Sequence, residues 1–416
     1  MQYIIQPPQR IRAHVALPAS KSISNRALIV QALAPGAPLP DNLSDCDDTR
    51  VLRAALRDLP PLVDVGAAGT AMRFLTAYLC TVEGERVITG TERMRHRPIG
   101  DLVDALRQLG ADIGYVGTPG YPPLLVRGRK LPGGEVEMAG GVSSQFITAL
   151  LLVAPSMEKG LRLRLRGEIV SRPYIDLTLH VMHQYGVRAE WEDVSTLCVP
   201  PQEYAVVPYM VENDWTAASY WYESLALLGD AASEITLDGL LDNSRQGDAT
   251  VKHIYSLMGV RTVFVNAATD ERSALTLGCR KFRLPSLDYN FAGQPDLVQS
   301  VVATCVGLGI RFCFKGVSSL RIKETDRIAA LVAETRKLGF LLQARGDNEL
   351  TWDGAMCEPM PNPVISTYHD HRMAMAFAPL SIKFPGLRVD APEVVTKSYP
   401  LFWQEMRKAG FSVSSV

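Results

Sequence analysis

The sequence lacks the compositional biases that mark nucleic-acid-binding, membrane-surface and disordered proteins. Its 416 residues carry no surplus of either charge, with 43 Lys and Arg against 44 Asp and Glu. Surfaces that bind nucleic acid or anionic membranes need a basic surplus, so we expect neither partner. The charged share of 21% and the apolar share of 47% also exclude disordered, collagen-like and coiled-coil chains. A globular protein remains, with enough length for two large domains.

Neither the cysteines nor the apolar segments indicate a secreted or membrane protein. The seven cysteines include no C-x-x-C pair, and their odd number argues against a disulfide framework. The longest apolar stretch, at 146–157, is about a dozen residues and too short to span a bilayer. The first ten residues lack the apolar core and basic flank of a signal peptide. We therefore expect a soluble, cytoplasmic protein, and we expect it to be a monomer.

One local pattern recurs along the chain: a helical apolar stripe, then a glycine, then a short apolar–polar alternation. Glycine can adopt the left-handed conformation that ends a helix. A sixth copy, at 51–59, ends in Pro60-Pro61 instead. Such junctions occur in any α/β protein, but the even spacing of 71 to 80 residues favours true repeats. We expect an α/β chain of six units, three in each of two domains, with a boundary near Glu212. The five glycines are Gly110, Gly186, Gly259, Gly339 and Gly410.

Predicted helix starts in the first half combine small, hydroxylic and basic residues. In LPASKSISNRAL, at 17–28, Ser20 or Ser22 can cap a helix where unpaired backbone N–H groups already favour an anion. The alternative for each segment is an ordinary capped helix or turn. The candidate residues of these helix starts and of two loops are Lys21, Ser22, Arg26, Gly69, Arg97, Ser143, Ser144, Gln145 and Ser171.

The second half carries charged clusters beside predicted helices. A solvated, salt-bridged turn is the alternative explanation for the densest of them, at 321–327. Taken with the first half, however, basic residues and two acids describe an enzyme that closes around a small, multiply anionic substrate. The candidate residues are Asp296, Lys323, Glu324, Arg327, Arg372 and Lys397.

Metal and nucleotide sites are not expected. His369 and His371 form an H-x-H pair, and His180 and His183 lie three residues apart, but neither pair has a third ligand at a familiar spacing. There is no G-x-G-x-x-G and no G-x-x-x-x-G-K-[ST]. The absence of a G-x-S-x-G elbow argues against a triad hydrolase.

Five motifs together resemble the 5-enolpyruvylshikimate-3-phosphate synthase family, in the family's order and over nearly the whole chain. That family has two domains, each built from three βαββαβ repeats around a pseudo-threefold axis. The resemblance implies domains at 20–212 and at 1–19 with 213–416, and an active site in the cleft between them. The motifs are LPASKSISNRAL at 17–28, RHRPIG at 95–100, SSQF at 143–146, IKETDR at 322–327 and DHRMAM at 370–375.

The resemblance also implies a reaction. The enolpyruvyl group of phosphoenolpyruvate passes to the 5-hydroxyl of shikimate 3-phosphate, and phosphate leaves, by addition and then elimination. This step belongs to the shikimate pathway, which leads to chorismate and the aromatic amino acids. No metal and no organic cofactor is implied.

Residue by residue, the resemblance assigns three roles. Catalysis falls to Asp296 as base toward the 5-hydroxyl, Glu324 as proton carrier at the methylene carbon, and Lys21. The expected ligands of shikimate 3-phosphate are Lys21, Ser22, Arg26, Ser143, Ser144, Gln145, Ser171, Asp296, Ser319 and Lys323. The expected ligands of phosphoenolpyruvate are Lys21, Gly69, Arg97, Gln145, Arg327, Arg372 and Lys397.

Some positions depart from the family pattern. Ala67 and Ser319 each stand where the family usually has Asn, and Phe74 stands where it has Pro. The chain is also shorter by roughly two dozen residues between Arg57 and Gly66, which predicts a lost strand pair in the first repeat. These departures motivate one alternative, a non-catalytic ligand-binding relic. The other alternative, an enolpyruvyl transferase acting on UDP-N-acetylglucosamine, carries a Cys in the loop that here reads ERMRHR, at 92–97.

Overall fold

The computed structural model describes residues 1–265, 274–282 and 284–416. Its helices are α1 (Lys21–Leu33), α2 (Asp47–Asp58), α3 (Gly69–Thr81), α4 (Glu92–Arg95), α5 (Gly100–Gln108), α6 (Ser144–Val153), α7 (Arg172–Gln184), α8 (Trp215–Leu228), α9 (Val251–Leu257), α10 (Val298–Leu308), α11 (Arg327–Lys337), α12 (His371–Phe377) and α13 (Phe402–Lys408). No helix of these ranges is both long enough and apolar enough to cross a membrane.

The strands are short, as the alternating apolar segments predict. They are β1 (Gln2–Gln6), β2 (Arg12–Val15), β3 (Leu62–Asp64), β4 (Gly84–Thr89), β5 (Asp112–Tyr115), β6 (Leu124–Gly128), β7 (Gly134–Ala139), β8 (Leu161–Arg166), β9 (Glu190–Trp191), β10 (Thr196–Val199), β11 (Glu234–Asp238), β12 (Val260–Val265), β13 (Ala274–Cys279), β14 (Ser286–Asn290), β15 (Arg311–Lys315), β16 (Gln343–Arg345), β17 (Glu349–Trp352), β18 (Val364–Ile365), β19 (Leu387–Asp390) and β20 (Ser412–Ser415).

The chain forms two compact units. Ala19–Val211 makes one, which we call the inserted unit, and Met1–Pro18 with Glu212–Val416 makes the other, which we call the terminal unit. The chain therefore starts in the terminal unit, passes through the inserted unit, and returns. Each unit has its own apolar core.

All the described sheets share one strand order. In each four-stranded sheet one pair is parallel and the other two are antiparallel. The shared order is the signature of a structural repeat, as the glycine spacing predicted. From the edge strand of the parallel pair in each, the sheets are β3-β4-β6-β5 and β7-β8-β10-β9 in the inserted unit, and β2-β11-β13-β12, β14-β15-β17-β16 and β18-β19-β1-β20 in the terminal unit.

The inserted unit, every residue of which is described, has two such sheets, whereas the described residues of the terminal unit form three. At the position of the third, Asp41 and Met210 form a single parallel bridge. The Asp41 N–H donates to the Tyr209 carbonyl at 2.8 Å, and the Val211 N–H donates to the Asp41 carbonyl at 3.0 Å. Helix α2 ends at Asp58 and β3 begins at Leu62, so no hairpin lies between them. The predicted loss of a strand pair is confirmed.

The glycines of the repeat end outer helices. Each lies two residues beyond the end of α5, α7, α9, α11 or α13, with φ between 76° and 98°. The sixth copy ends α2 at Leu59, whose φ of 41° is also left-handed. A leucine there is strained, because its Cβ crowds the backbone. All six predicted copies therefore end their helix with a left-handed residue, including the copy in which Leu59 replaces the glycine.

Each core contains three packed inner helices. In the inserted unit they are α1, α3 and α6; in the terminal unit α10 packs against α8 and α12. Most of these helices are apolar on all sides, which is why they are buried: α6 is buried from Phe146 to Val153. The starts of α1, α3, α6 and α12 carry several residues of the candidate site.

Candidate active site

Arg327, the first residue of α11, is the centre of a charge cluster in the terminal unit. Its side chain is 2% exposed. Asp326 caps the helix by accepting the Ala329 N–H at 3.0 Å, which fixes where α11 begins. A guanidinium buried this deeply is stable only with carboxylate partners and full hydrogen bonding.

Three carboxylates meet the guanidinium of Arg327. Nε donates to Asp370 Oδ2 at 2.7 Å, and Nη2 donates to Asp370 Oδ1 at 3.2 Å. Nη1 donates to Asp296 Oδ1 at 3.0 Å, and Nη2 also donates to Glu324 Oε2 at 2.9 Å. Burial alone would lower the pKa of Arg327, but the charges of these carboxylates raise it above its ordinary value. The arginine is a fixed cation.

The two predicted acids each bridge Arg327 to a second cation. Asp296 Oδ2 accepts a hydrogen bond from Arg372 Nη2 at 2.8 Å, and Lys397 Nζ lies 3.1 Å from Glu324 Oε1. The structure thus brings together all the predicted residues of the second half except Ser319 and Lys323. Those two lie in and just after the short 3-10 helix Ser318–Ile322, ahead of α11. The three cations and three carboxylates of the cluster carry no net charge.

The sequence reasoning missed Asp370. Its side chain is fully buried, and one carboxylate oxygen both accepts the Arg372 N–H at 3.0 Å, capping α12, and binds Arg327. The signal was present, because Asp directly before an apolar helical run is a cap pattern. A cap needs only one oxygen, however, and nothing in the sequence shows what the other oxygen holds.

A second missed acid, Asp248, lies in the 3-10 helix Gly247–Thr250 and interacts electrostatically with two members of the cluster, Asp296 and Arg372. Its buried carboxylate accepts a short hydrogen bond from the Thr216 hydroxyl. Burial, and next the charge of Asp296, raise the pKa of Asp248 to about 7, while Arg372 opposes the shift. Asp248 is therefore a buried group that gains or loses its proton near neutral pH, within electrostatic range of the candidate base.

We predict that Asp248 makes stability depend on pH. Its pKa is about 7 in the folded chain and about 3.9 in an unfolded one. The folded state thus keeps a proton that the unfolded state has lost, and this contribution to the free energy of unfolding disappears as pH rises through about 7. Asp248→Asn removes the titration. The free energy of unfolding of the unmodified protein should therefore fall between about pH 5 and about pH 8, and that of the variant should not. The difference between variant and unmodified protein should shift in favour of the variant by on the order of 2 kcal/mol over this range.

Urea unfolding at both pH values measures this gain. Asp347→Asn is the matched control, because the Asp347 side chain is 89% exposed and its removal should leave the pH dependence nearly unchanged. Parallel pH profiles for Asp248→Asn and the unmodified protein would contradict the prediction.

In the inserted unit, Lys21 and Arg26 lie on α1 but in different surroundings. Lys21 is the first residue of α1, behind the cap Ser20, and its Nζ lies 3.4 Å from Asp48 Oδ2. Ser22 follows it in the same first turn. Arg26 is 3% exposed, and burial lowers its pKa to about 10, so it remains charged at neutral pH.

Arg26 is held mainly by the protein itself. It donates to the Ser22 carbonyl at 2.7 Å, to the Thr178 hydroxyl at 2.8 Å, to the Tyr174 carbonyl at 3.1 Å and to the Thr148 hydroxyl at 3.2 Å. These bonds tie α1 to α6 and α7. The structure therefore gives Arg26 a positioning role that its place in the motif did not reveal, and its role as a ligand stays a prediction.

The starts of α3 and α6 are joined by a side-chain hydrogen bond. Gln145 Nε2 donates to the Thr70 hydroxyl at 3.1 Å, so Gln145 is oriented by a residue the sequence reasoning passed over. Ser143 caps α6, and Ser144 is its first residue. Ser171 precedes α7 in a left-handed conformation, with φ of 56° and ψ of 32°; such a backbone is uncommon for serine.

Gly69 and Arg97 are in direct contact. A methyl group added to Gly69 would lie 2.5 Å from Arg97 Nη1. Arg73 holds the loop that carries Arg97, since it donates to the Gly69 carbonyl at 3.2 Å and to the Pro98 carbonyl at 3.3 Å. The guanidinium occupies the space that a side chain at position 69 would take, so any larger residue there would require Arg97 to move.

Comparison with known proteins identifies the family. The sequence model of EPSP synthase (3-phosphoshikimate 1-carboxyvinyltransferase) matches residues 5–63 and 59–406. A protein named 3-phosphoshikimate 1-carboxyvinyltransferase from Bacteroides fragilis is 50% identical over 413 residues, which cover 99% of each chain. A protein of the same name from Photobacterium profundum is 36% identical, with 97% of each chain covered.

Solved structures show the same fold. EPSP synthase from Acinetobacter baumannii superposes with a TM-score of 0.80 at 20% identity, covering 100% of both chains. The enolpyruvyl transferase NikO from Streptomyces tendae gives a TM-score of 0.72 at 14% identity, covering 99% of this chain and 98% of NikO. The fold is that of an enolpyruvyl transferase. With the sequence relatives, it follows that the chain belongs to the EPSP synthase family, and that it is a transferase of the shikimate pathway. The family predicted from the motifs is confirmed.

Proposed function

We propose that the residues above form one active site, in the cleft between domains at 20–212 and at 1–19 with 213–416. There the chain transfers the enolpyruvyl group of phosphoenolpyruvate to the 5-hydroxyl of shikimate 3-phosphate. The observation that carries the proposal is the cluster around Arg327, because each of its two bridging acids lies within hydrogen-bond distance of two cations. We further propose that the protein acts as a monomer in the cytoplasm.

Phosphoenolpyruvate recognition follows from the donors of the cluster together with proposed ligands of the inserted unit. Arg97, Arg327 and Arg372 present forked guanidinium groups, which match carboxylate and phosphate oxygens two at a time. Lys397 and Lys21 add point charges. Gly69 leaves the space that the Arg97 guanidinium occupies, and Gln145 supplies a neutral donor.

Shikimate 3-phosphate recognition rests on helix starts. Ser22, Ser143 and Ser144 lie at the first turns of α1 and α6, where backbone N–H groups favour a phosphate. The remaining ligands of the proposed site are Lys21, Arg26, Gln145, Ser171, Asp296, Ser319 and Lys323.

The ion pairs suggest how substrate binding starts the chemistry. Asp296 and Glu324 occupy the cations that the phosphate and carboxylate of phosphoenolpyruvate need. When the substrate's anionic groups take Arg327, Arg372 and Lys397, both acids lose part of their ion pairing. A carboxylate with weaker pairing binds a proton more readily, so substrate binding turns both acids from structural partners into proton acceptors.

The proposed reaction then balances in two steps. In the addition, the 5-hydroxyl oxygen bonds to C2 of phosphoenolpyruvate, Asp296 takes the hydroxyl proton, and Glu324 delivers a proton to the methylene carbon. In the elimination, the bond between C2 and the phosphate oxygen breaks, Glu324 recovers a proton from the methyl group, and phosphate leaves with the proton that Asp296 had taken from the hydroxyl. Lys21 stabilises negative charge on the departing phosphate.

Phosphate release tests the proposed function. Purified protein should release phosphate only when shikimate 3-phosphate and phosphoenolpyruvate are both present, with formation of the carboxyvinyl ether. UDP-N-acetylglucosamine offered as acceptor should give none. Release with UDP-N-acetylglucosamine instead, or no turnover despite measurable binding of shikimate 3-phosphate, would contradict the proposal; the second result would favour a ligand-binding relic.

We predict that Asp296→Asn and Glu324→Gln each lower kcat by about 10²–10⁴-fold, because each removes a positioned proton carrier. Both substitutions keep the side-chain shape, so calorimetric binding of shikimate 3-phosphate should change much less than turnover. Near-normal turnover in either variant would remove that residue from the mechanism.

We predict that Gly69→Ala raises the KM for phosphoenolpyruvate several-fold, because the new methyl group displaces the Arg97 guanidinium. Steady-state rates at varied phosphoenolpyruvate concentration measure the effect. Gly117→Ala is the matched control, since a methyl group there meets nothing within 4 Å. An unchanged KM in Gly69→Ala would show that Arg97 does not bind this substrate.

A further inference from the structure

The turn that leads into α12 has an unusual backbone. The Asp370 N–H donates to the Thr367 carbonyl at 2.8 Å, which closes a four-residue turn. Its two central residues, Tyr368 and His369, have φ of 53° and 56°. Turns with two positive φ values are dominated by Gly, Asn and Asp, because other side chains crowd the backbone there. Tyr and His therefore hold this turn under strain.

The strained turn is followed at once by two members of the Arg327 cluster, Asp370 and Arg372. A relaxed turn would change the direction in which the chain enters α12. Such a change would move the carboxylate that fixes Arg327 and the guanidinium that binds Asp296. Some interaction must hold the turn in its strained form.

Glu334 provides that interaction. It is fully buried, and its Oε1 accepts the Tyr368 hydroxyl at 2.6 Å. Its Oε2 accepts the Ser366 N–H at 2.9 Å and the Lys337 ammonium at 2.7 Å. The same carboxylate thus binds one central residue of the turn and the residue that precedes the turn.

Helix α11 contacts the turn at both ends. Glu334 lies about two helical turns beyond Arg327, on the same face. Arg327 binds Asp370 at the end of the turn, and Glu334 binds Ser366 and Tyr368 at its start. One rigid helix therefore sets the distance between the cluster and the turn.

We propose that Tyr368 is a positioning residue for phosphoenolpyruvate: its hydrogen bond to Glu334 holds the strained turn that orients Asp370 and Arg372. The inference rests on the proposed roles of Arg327 and Arg372 in binding this substrate. Packing of the Tyr368 ring contributes less to holding the turn than this hydrogen bond does, since the residue remains 40% exposed. Its hydroxyl, bonded to a buried carboxylate, is the part of the side chain with a defined partner.

Tyr368→Phe tests the proposal, because it removes the hydroxyl and keeps the ring. We expect the KM for phosphoenolpyruvate to rise about 10-fold, in line with the loss of one hydrogen bond to a charged group. The KM for shikimate 3-phosphate should stay within about 2-fold of its normal value. Tyr222→Phe is the matched control, since Tyr222 bonds the Thr262 hydroxyl at 2.8 Å, and it should leave both KM values unchanged.

A second substitution separates positioning from a general loss of stability. Asn is among the residues that dominate turns with two positive φ values and His is not, so His369→Asn should favour the turn without the hydroxyl. The double variant Tyr368→Phe/His369→Asn should recover most of the affinity for phosphoenolpyruvate. A Tyr368→Phe variant that weakens both substrates equally, and that His369→Asn does not rescue, would overturn the proposal in favour of a purely structural role.

Arg372→Lys distinguishes failure of the inference from failure of the proposed function. If Arg372→Lys raises the KM for phosphoenolpyruvate but Tyr368→Phe leaves that KM as unchanged as Tyr222→Phe does, the positioning role is wrong and the proposed site stands. If Arg372→Lys leaves that KM unchanged, the proposed substrate clamp is wrong, and the positioning role falls with it.

Discussion

The guanidinium of Arg327 is almost completely buried, and a charge in that position destabilises the fold strongly unless anions surround it. Three carboxylates satisfy it, from Asp370 at the start of α12, Asp296 just ahead of α10 and Glu324 just ahead of α11. Arg372 and Lys397 are then held by the outer oxygens of Asp296 and Glu324. The requirement of one buried cation thus fixes the relative positions of several helix starts, and with them most of the candidate site of the terminal unit.

The repeated sheet explains how these helix starts come to lie together. The strand ahead of α10, β14, and the strand ahead of α12, β18, are both edge strands paired in parallel with the next strand along the chain. Equivalent helices therefore start at the same end of their sheets. Strand β2 has the same place beside β11, although the helix that follows it in sequence is α1 of the inserted unit. In the inserted unit the corresponding place is taken by the segment around Met210, which immediately precedes α8 and bridges to Asp41. The two units have thus exchanged the strands that precede their first helices.

Much of this was predictable from sequence, because it depends on local rules. The helix-ending glycines and the capped starts of α1 and α6 can be read from neighbouring residues, and the shortened first repeat follows from the resemblance to the family. The contacts that could not be predicted join residues far apart in the chain. Nothing near Asp248 shows that it faces Thr216 and the charge of Asp296, and nothing near Tyr368 shows that its backbone is left-handed and held by Glu334. Arg26 illustrates the same limit, since its motif suggests a ligand but its hydrogen bonds go largely to α6 and α7.

The central claim is that the planar donor set of Arg327, and not merely its charge, organises the site. Arg327→Lys tests it most directly, because lysine keeps the charge but cannot donate to three carboxylates from fixed directions. Steady-state rates at varied phosphoenolpyruvate concentration, with calorimetric binding of shikimate 3-phosphate, would provide the measurement. We predict that kcat/KM for phosphoenolpyruvate falls by at least about 100-fold, the loss typical of misplaced catalytic groups, while shikimate 3-phosphate still binds. A variant with near-normal kcat/KM would contradict the account.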